Sequence, residues 1–309
     1  MVTTIDSNGG DVVLQRDRRK VYMGCRMITP PSTQACSMAS ITQKEITAAN
    51  RAAWNASAPL HAEGEQWEQL LERAARPGFS VLDPVLTAIL DGLGLKGKSA
   101  VQIGCNNARE LISLASFGIR PEMGIDQASG FLAQARQLAD AAGLDIRLLE
   151  ADIYDLPSDV GPFDLALITI GVLNWMPDLP EFFRVTSGML APGGRLVIYE
   201  THPFLEVFDP ASSTPFEPAF SYFERRPQEV TEAITYDGKD HGEGETGYWF
   251  IHPLGEIVTA CAQARLGIVE LREYGHTIRE PEYDLYEGRP AQIPMSYSLV
   301  AQKLMSAKG

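Results

Sequence analysis

A chain of 309 residues, 45% of them hydrophobic and 21% charged, can fill one large core and still carry a sizeable insertion. Its formal net charge of -14 creates an overall field that repels phosphate backbones, which argues against nucleic acid as a partner. No stretch approaches the roughly 18 apolar residues of a membrane helix and the first residues hold no apolar secretory core, so a cytoplasmic protein with no membrane partner is expected.

Residues 1–38 show neither helical nor strand periodicity and contain Asn8-Gly9-Gly10 and Pro30-Pro31, both loop signals. They are expected to form a disordered extension, with the basic cluster from Arg16 to Lys20 as a solvated tail. The pattern then turns helical over 41–76, where Thr42 with Glu45 three positions on has the spacing of a capping box. Trp54 and His61 stand out there. Another helix is predicted over 81–93, ended by Gly92 and Gly94, so that 39–95 makes an N-terminal helical cap.

The centre alternates. Strands are predicted at 99–104, 123–125, 146–149, 165–170 and 195–199, and helices at 108–117, 129–142 and 179–190. Such alternation argues for an α/β fold with a doubly wound parallel sheet, covered on both faces. After His202 the pattern breaks into a run rich in Pro, Gly, aromatics and acids, too long for a bare connector. Residues 203–252 are therefore expected to be an inserted lid or hairpin. Regularity returns with a helix at 254–264 and strands at 268–274 and 296–301.

Cys25, Cys36, Cys105 and Cys261 form no C-x-x-C pair, so they read as reduced thiols rather than a zinc site. Asp237, Asp240, His241 and Glu243 lie close in sequence, but among glycines they read as a solvated loop, and no metal is expected.

Three positions carry the chemistry. Gly104, in Val101-Gln102-Ile103-Gly104-Cys105-Asn106-Asn107-Ala108, lies where the first strand meets the first helix, and small residues there let the backbone approach a nucleotide. By itself it equally fits an ordinary tight turn. Asp126 ends the second strand about 20 residues later, the spacing of a carboxylate that accepts hydrogen bonds from ribose hydroxyls. Asp152 follows the third strand, placed for an adenine amino group. Either acid alone reads as a solvated strand end, but the two in order argue for adenosine.

The run from Ser99 to Pro203 resembles class I S-adenosylmethionine-dependent methyltransferases. The resemblance rests on Phe163-Asp164-Leu165-Ala166-Leu167, on Thr169-Ile170-Gly171-Val172-Leu173-Asn174-Trp175, and on Leu190-Ala191-Pro192-Gly193-Gly194-Arg195-Leu196. It extends through Trp249-Phe250-Ile251-His252-Pro253-Leu254-Gly255-Glu256-Ile257, which is similar to a branch acting on small molecules, and covers about 45–303. It implies a Rossmann-like seven-stranded sheet ending in a C-terminal antiparallel strand pair, within a methyltransferase domain over 39–309. It also implies S-adenosylmethionine as cofactor. Gly104, Cys105, Asn106 and Asn107 would lie beneath its methionine part, Asp126 and Gln127 at the ribose, and Asp152 and Ile153 at adenine. Thr169 and Ile170 would line the same pocket, and Trp54 and His61 would cap it. Two features depart from the family: Asn106 and Ala108 stand where glycines are usual, and Gln102 replaces the usual acid.

For the acceptor, a small molecule, His202 just past the fifth strand is the candidate general base, with a cofactor-side or structural hydrogen bond as its alternative. Trp175, Tyr222, Tyr248 and Trp249 are candidates for an aromatic box, with plain core packing as the alternative. His252 either joins them or makes a helix-entry contact. A nicotinamide oxidoreductase is disfavoured because the loop is not G-x-G-x-x-G. A non-catalytic homologue acting as partner or sensor stays open, as does the choice between monomer and homodimer.

Overall fold

The computed structural model describes residues 41–235 and 241–305, together with strands β1 (Val21–Met23) and β2 (Arg26–Ile28). The rest of the expected N-terminal extension, including Arg16 to Lys20, Cys25 and Cys36, lies outside the described residues, as do Asp237 and Asp240.

Helix α1 (Gln43–Ser57) opens on the expected capping box: Thr42 N–H donates to Glu45 Oε2 at 2.8 Å and Glu45 N–H to Thr42 Oγ1 at 3.3 Å. The helix predicted over 41–76 does not continue unbroken. It tightens into a 3-10 turn at Ala58–His61 around Pro59, then restarts as α2 (Glu65–Ala74) after Gly64 at φ 78°. Proline removes an intrahelical donor and glycine supplies a left-handed backbone, so the chain bends there. Helix α3 (Pro84–Gly92) begins where Asp83 accepts from Leu86 N–H at 2.8 Å.

The central elements are β3 (Ser99–Ile103), α4 (Arg109–Ser113), β4 (Arg120–Asp126), α5 (Ser129–Ala142), β5 (Arg147–Glu150), β6 (Phe163–Thr169), α6 (Leu179–Met189) and β7 (Leu190–Thr201). After the insertion, which contains β8 (Gln228–Glu232) and β9 (Glu243–Trp249), come α7 (Leu254–Gln263), β10 (Leu266–Tyr274) and β11 (Ser296–Lys303). The main sheet has seven strands in the order β10-β11-β7-β6-β3-β4-β5. Strands β7, β6, β3, β4 and β5 run parallel, while β11 is antiparallel to both β7 and β10. The expected Rossmann-like sheet with its C-terminal antiparallel pair is what the chain forms.

Strand parity explains why both faces are covered. Val101, Ile103, Ile125, Ala166, Ile168, Leu196 and Ile198 face a core completed by Phe182 and Phe183 of α6 and Ile257 and Cys261 of α7. Their alternating neighbours Ala100, Leu165, Leu167, Val197 and Tyr199 face Leu86 and Leu90 of α3, Leu111 of α4 and Leu138 of α5. Each such Leu, Ile or Phe contributes about 1.5–3 kcal/mol by burial. That accounts for the near-continuous apolar text of the strands.

The insertion has two parts, one of them the expected hairpin. Its first part, through Leu205, Val207 and Phe208, packs with Tyr283, Tyr286 and Met295 into a satellite core. Its second part is the antiparallel β8–β9 hairpin, which lies on α1 through Ala53, Trp175, Val230, Ile234 and Trp249. Strand β2 joins the hairpin at Ile28 opposite Val230, making a four-stranded sheet β1-β2-β8-β9. Among the described residues no helix is long and apolar enough to cross a membrane.

Candidate active site

A cleft of about 1190 Å³ opens at the carboxyl ends of β3, β4 and β6. Strand order reverses between β3 and β6, and crevices at such a switch point are where doubly wound sheets take ligands.

The floor is the loop after β3. Gly104 stands at φ 63°, and a Cβ there would fall 2.7 Å from Val172 Cγ2. Asn106 at φ 50° and Ala108 at φ 60° share the left-handed backbone that glycine would favour. The loop therefore keeps a glycine-rich path despite its departures from the family. Asn106 Oδ1 accepts from Asn107 N–H at 2.7 Å, a local bond that suits asparagine to this conformation. The substitution Ala108→Val would put a β-branched residue at a fully buried left-handed position, and a loss of about 2–4 kcal/mol is expected in urea denaturation. Ala108→Gly should be near neutral, because relief of strain offsets the lost methyl burial.

Asp126 ends β4 with both oxygens in use: Oδ2 accepts from Asn106 N–H at 2.8 Å and Oδ1 from Ala128 N–H at 2.9 Å. Burial pushes its pKa up, while these N–H groups pull it down. Asp126 thus couples the β3 and β4 loops at the cleft wall. Asp152 Oδ1 accepts from Tyr154 N–H at 3.0 Å on the next strand's loop. Gln127, Ile153, Thr169 and Ile170 join them in lining the cleft. Ile170 stands at φ 23°, a conformation that a β-branched residue holds only when its surroundings impose it.

Two polar atoms in this floor and wall are unpaired among the described residues. Gln102 donates through Nε2 to Thr169 Oγ1 at 3.0 Å, but its buried Oε1 has no donor, and neither does Asn107 Oδ1. Both side chains line the cleft. Buried acceptors without donors are costly, and a ligand cation would satisfy them.

The roof comes from the cap and the hairpin. Trp54 of α1 meets Phe131 at 5.7 Å and Trp175 at 5.4 Å, edge to face, and Trp175 meets Trp249 at 5.1 Å. His61 Nε2 lies 2.7 Å from Ile234 O, so this nitrogen carries the proton, and its ring packs on Phe131. Asn50 is fully buried and ties α1 to the hairpin and to the Trp175 loop. Arg279, from the loop between β10 and β11, lines the far end and pairs with Glu110. Burial pushes Glu110 up, but Arg109 and Arg279 bring its carboxyl below the ordinary range.

Several expected site residues do not reach the cleft. His202 is 4% exposed and is turned into the protein, where Nδ1 accepts from Phe204 N–H at 3.0 Å and Nε2 lies 2.9 Å from Glu273 Oε1. Burial pulls its pKa below that of an ordinary imidazole in spite of Glu273. The structural alternative, not the catalytic base, fits this geometry. Cys105 is fully buried in the core, its sulfur lying against Gly124. Tyr222 instead accepts from Leu254 N–H at 2.9 Å, and His252 Nε2 lies 2.8 Å from Met176 O while stacking on Phe250. Tyr248 is held by its backbone to Asn50. Of the aromatic box only Trp175 and Trp249 line the cleft. Sequence reasoning missed Asn50, Arg279 and Glu200, the last a carboxylate buried at the end of β7. Among the described residues no group of three or more His, Cys, Asp or Glu could hold a metal ion.

A doubly wound sheet with a cleft at its switch point, two carboxylates on successive strand ends and a separate aromatic roof is an arrangement that suits a nucleotide-like ligand. Residues 101–198, about a third of the chain, match the family described as "Methyltransferase domain". The chain is 45% identical over 84 residues to a demethylmenaquinone methyltransferase of Thermus thermophilus, a match covering 26% of this chain and 36% of that protein. It is 27% identical over 106 residues to a tRNA U34 carboxymethyltransferase of Cellvibrio japonicus, covering 34% and 33% respectively. The chain thus spans about a third of the length of the curated relatives it matches. In fold it is similar to the 1,6-didemethyltoxoflavin-N1-methyltransferase of Burkholderia thailandensis, with a TM-score of 0.50 and 15% identity over 93% of this chain and 100% of that one.

Proposed function

We propose that this chain is an S-adenosylmethionine-dependent methyltransferase that passes the methyl group to an oxygen or nitrogen atom of a small molecule, within a unit spanning 39–309. The observation that carries the reading is the cleft itself, which combines Asp126 and Asp152 at successive strand ends with the unpaired acceptors Gln102 Oε1 and Asn107 Oδ1.

When bound, the cofactor supplies a methyl group on a positively charged sulfur, already activated for in-line displacement. The chain's own work is then to bind, orient and exclude water. Asp126 and Gln127 would hold the ribose, and Asp152 and Ile153 would border adenine. Gln102 and Asn107, whose Oε1 and Oδ1 have no donor, would lie nearest the methionine part and its ammonium group. Trp54, Trp175 and Trp249 close the roof over an acceptor with an apolar face. His202, turned away from the cleft, is not the group that takes the acceptor's proton.

A small acceptor fits the chain better than tRNA, the substrate named for one relative, because the net charge of -14 opposes a phosphate backbone. Demethylmenaquinone, named for another relative, is a small molecule. Calorimetric titration with S-adenosylhomocysteine tests the reading. Binding in the micromolar range is expected. A folded protein that takes up none would remove the methyltransferase proposal and favour a non-catalytic homologue.

A further inference from the structure

The loop that follows β6 is positioned by a buried acid on a neighbouring strand. Ile170, Gly171, Val172, Trp175 and Met176 all line the cleft, so the conformation of 170–176 shapes the acceptor side of the site. It contains a short 3-10 turn, Leu173–Trp175, with no side-chain cap of its own. The first N–H groups of such a turn need acceptors from elsewhere.

They find them on Glu200. Parity puts its side chain in line with Leu196 and Ile198, on an otherwise apolar face, and it is 1% exposed. Oε1 accepts from Val172 N–H at 2.9 Å and from Leu173 N–H at 3.4 Å, while Oε2 accepts from Gly171 N–H. Three successive amides thus converge on one carboxylate. Ile170 N–H is held by Tyr199 O at 3.2 Å, so the end of β7 sets the loop residue by residue. Beyond it, Trp175 O accepts from Asn50 and Met176 O lies 2.8 Å from His252 Nε2.

Resting on the methyltransferase reading above, we propose that Glu200 is a positioning residue: its ionised carboxylate holds 171–173 in the arrangement that presents Trp175 to the acceptor. Protonation turns one oxygen from acceptor to donor, so the three amides cannot all stay bound and the loop relaxes. Burial raises the pKa of Glu200 to about 7, with the three N–H groups and its own strand opposing. Among the described residues no salt bridge joins it to a cation. Tyr297, opposite on β11, and Cys261 of α7 are both held neutral by burial, and His202, just past β7, is turned to Glu273. The carboxylate is the loop-holding form, so the ordered loop is present above this pKa and lost below it.

The test reads Trp175 fluorescence in the full-length protein between pH 5.5 and 8.5, with Trp175→Phe to isolate the signal. Wild-type emission is expected to titrate with a midpoint about 7. Glu200→Gln, which cannot ionise, should be flat and resemble the wild type at low pH. Its affinity for S-adenosylhomocysteine should match that of wild type at low pH, because the same relaxed 170–176 loop borders the cleft in both. Should Glu200→Gln not fold, amide exchange of wild type carries the test: peptides over 170–176 should lose protection at pH 6 relative to pH 8 after correction for intrinsic rates, while α5 does not. A Glu200→Gln titration like wild type, a flat wild-type profile, or exchange in 170–176 that tracks α5 would each overturn the proposal. Failure of S-adenosylhomocysteine to bind wild type would instead strike the methyltransferase reading and leave the titration result standing.

Discussion

Gly104→Ala is expected to cost about 2–5 kcal/mol of stability and to weaken S-adenosylhomocysteine binding by at least tenfold. Two effects add. At φ 63° an L-residue carries about 1–2 kcal/mol of backbone strain. The added Cβ would also sit 2.7 Å from Val172 Cγ2 and 3.2 Å from Cγ1, an overpacking typically worth about 1–3 kcal/mol. Val172 cannot swing aside cheaply, because it is β-branched, buried, and fixed through its N–H to Glu200. The new methyl therefore drives apart the β3 and β6 loops, the two walls between which a nucleotide would lie. Adding Val172→Ala to Gly104→Ala removes the clash but not the strain, so the double variant should recover about half of the lost stability. Urea denaturation and calorimetry read both quantities. A single variant as stable as wild type would show that the two loops yield independently, contrary to their packing.

The main sheet was legible in the sequence because its signal is local. Parity within each strand and the strand-helix alternation follow from residues a few positions apart, and the Thr42–Glu45 box is a four-residue motif. The carboxylates at Asp126 and Asp152 were legible for the same reason, since position at a strand end follows from the strand. What failed was direction. His202 was placed correctly just past β7, but its ring points to Phe204 and Glu273, whose positions depend on the satellite core and on β10. The same parity held an unread signal: an acid at 200, in line with Leu196 and Ile198, has to be buried and has to find donors. Nothing local in the sequence divides the insertion into its two halves. They part because Leu205 to Phe208 meet residues near 283–295, while the hairpin meets α1.

Asn50→Ala should be among the most damaging changes outside the cofactor loops, at about 3–5 kcal/mol. No pattern in its helix singles Asn50 out, yet it is 0% exposed and makes three bonds across long sequence distances. Its Nδ2 donates to Trp175 O and to Tyr248 O, each at 3.1 Å, and its Oδ1 accepts from Tyr248 N–H at 2.6 Å. Removing the amide strips these backbone groups of a buried partner, at about 1–3 kcal/mol for each group left unsatisfied. No side chain can fill the gap from the hairpin, because Gly247 lets β9 approach so closely that a Cβ would lie 3.0 Å from Trp175 and 3.3 Å from Asn50 Oδ1. The cap, the hairpin and the Trp175 loop meet at this one amide. Against a total stability of about 5–15 kcal/mol, the loss should lower the urea midpoint sharply and open the hairpin to proteolysis before the main sheet unfolds. Asn50→Asp restores the acceptor for Tyr248 N–H but sets a carboxylate against two carbonyl oxygens, so it should not rescue. An Asn50→Ala protein with wild-type stability and an intact, protected hairpin would mean that the roof is held by its aromatic contacts alone.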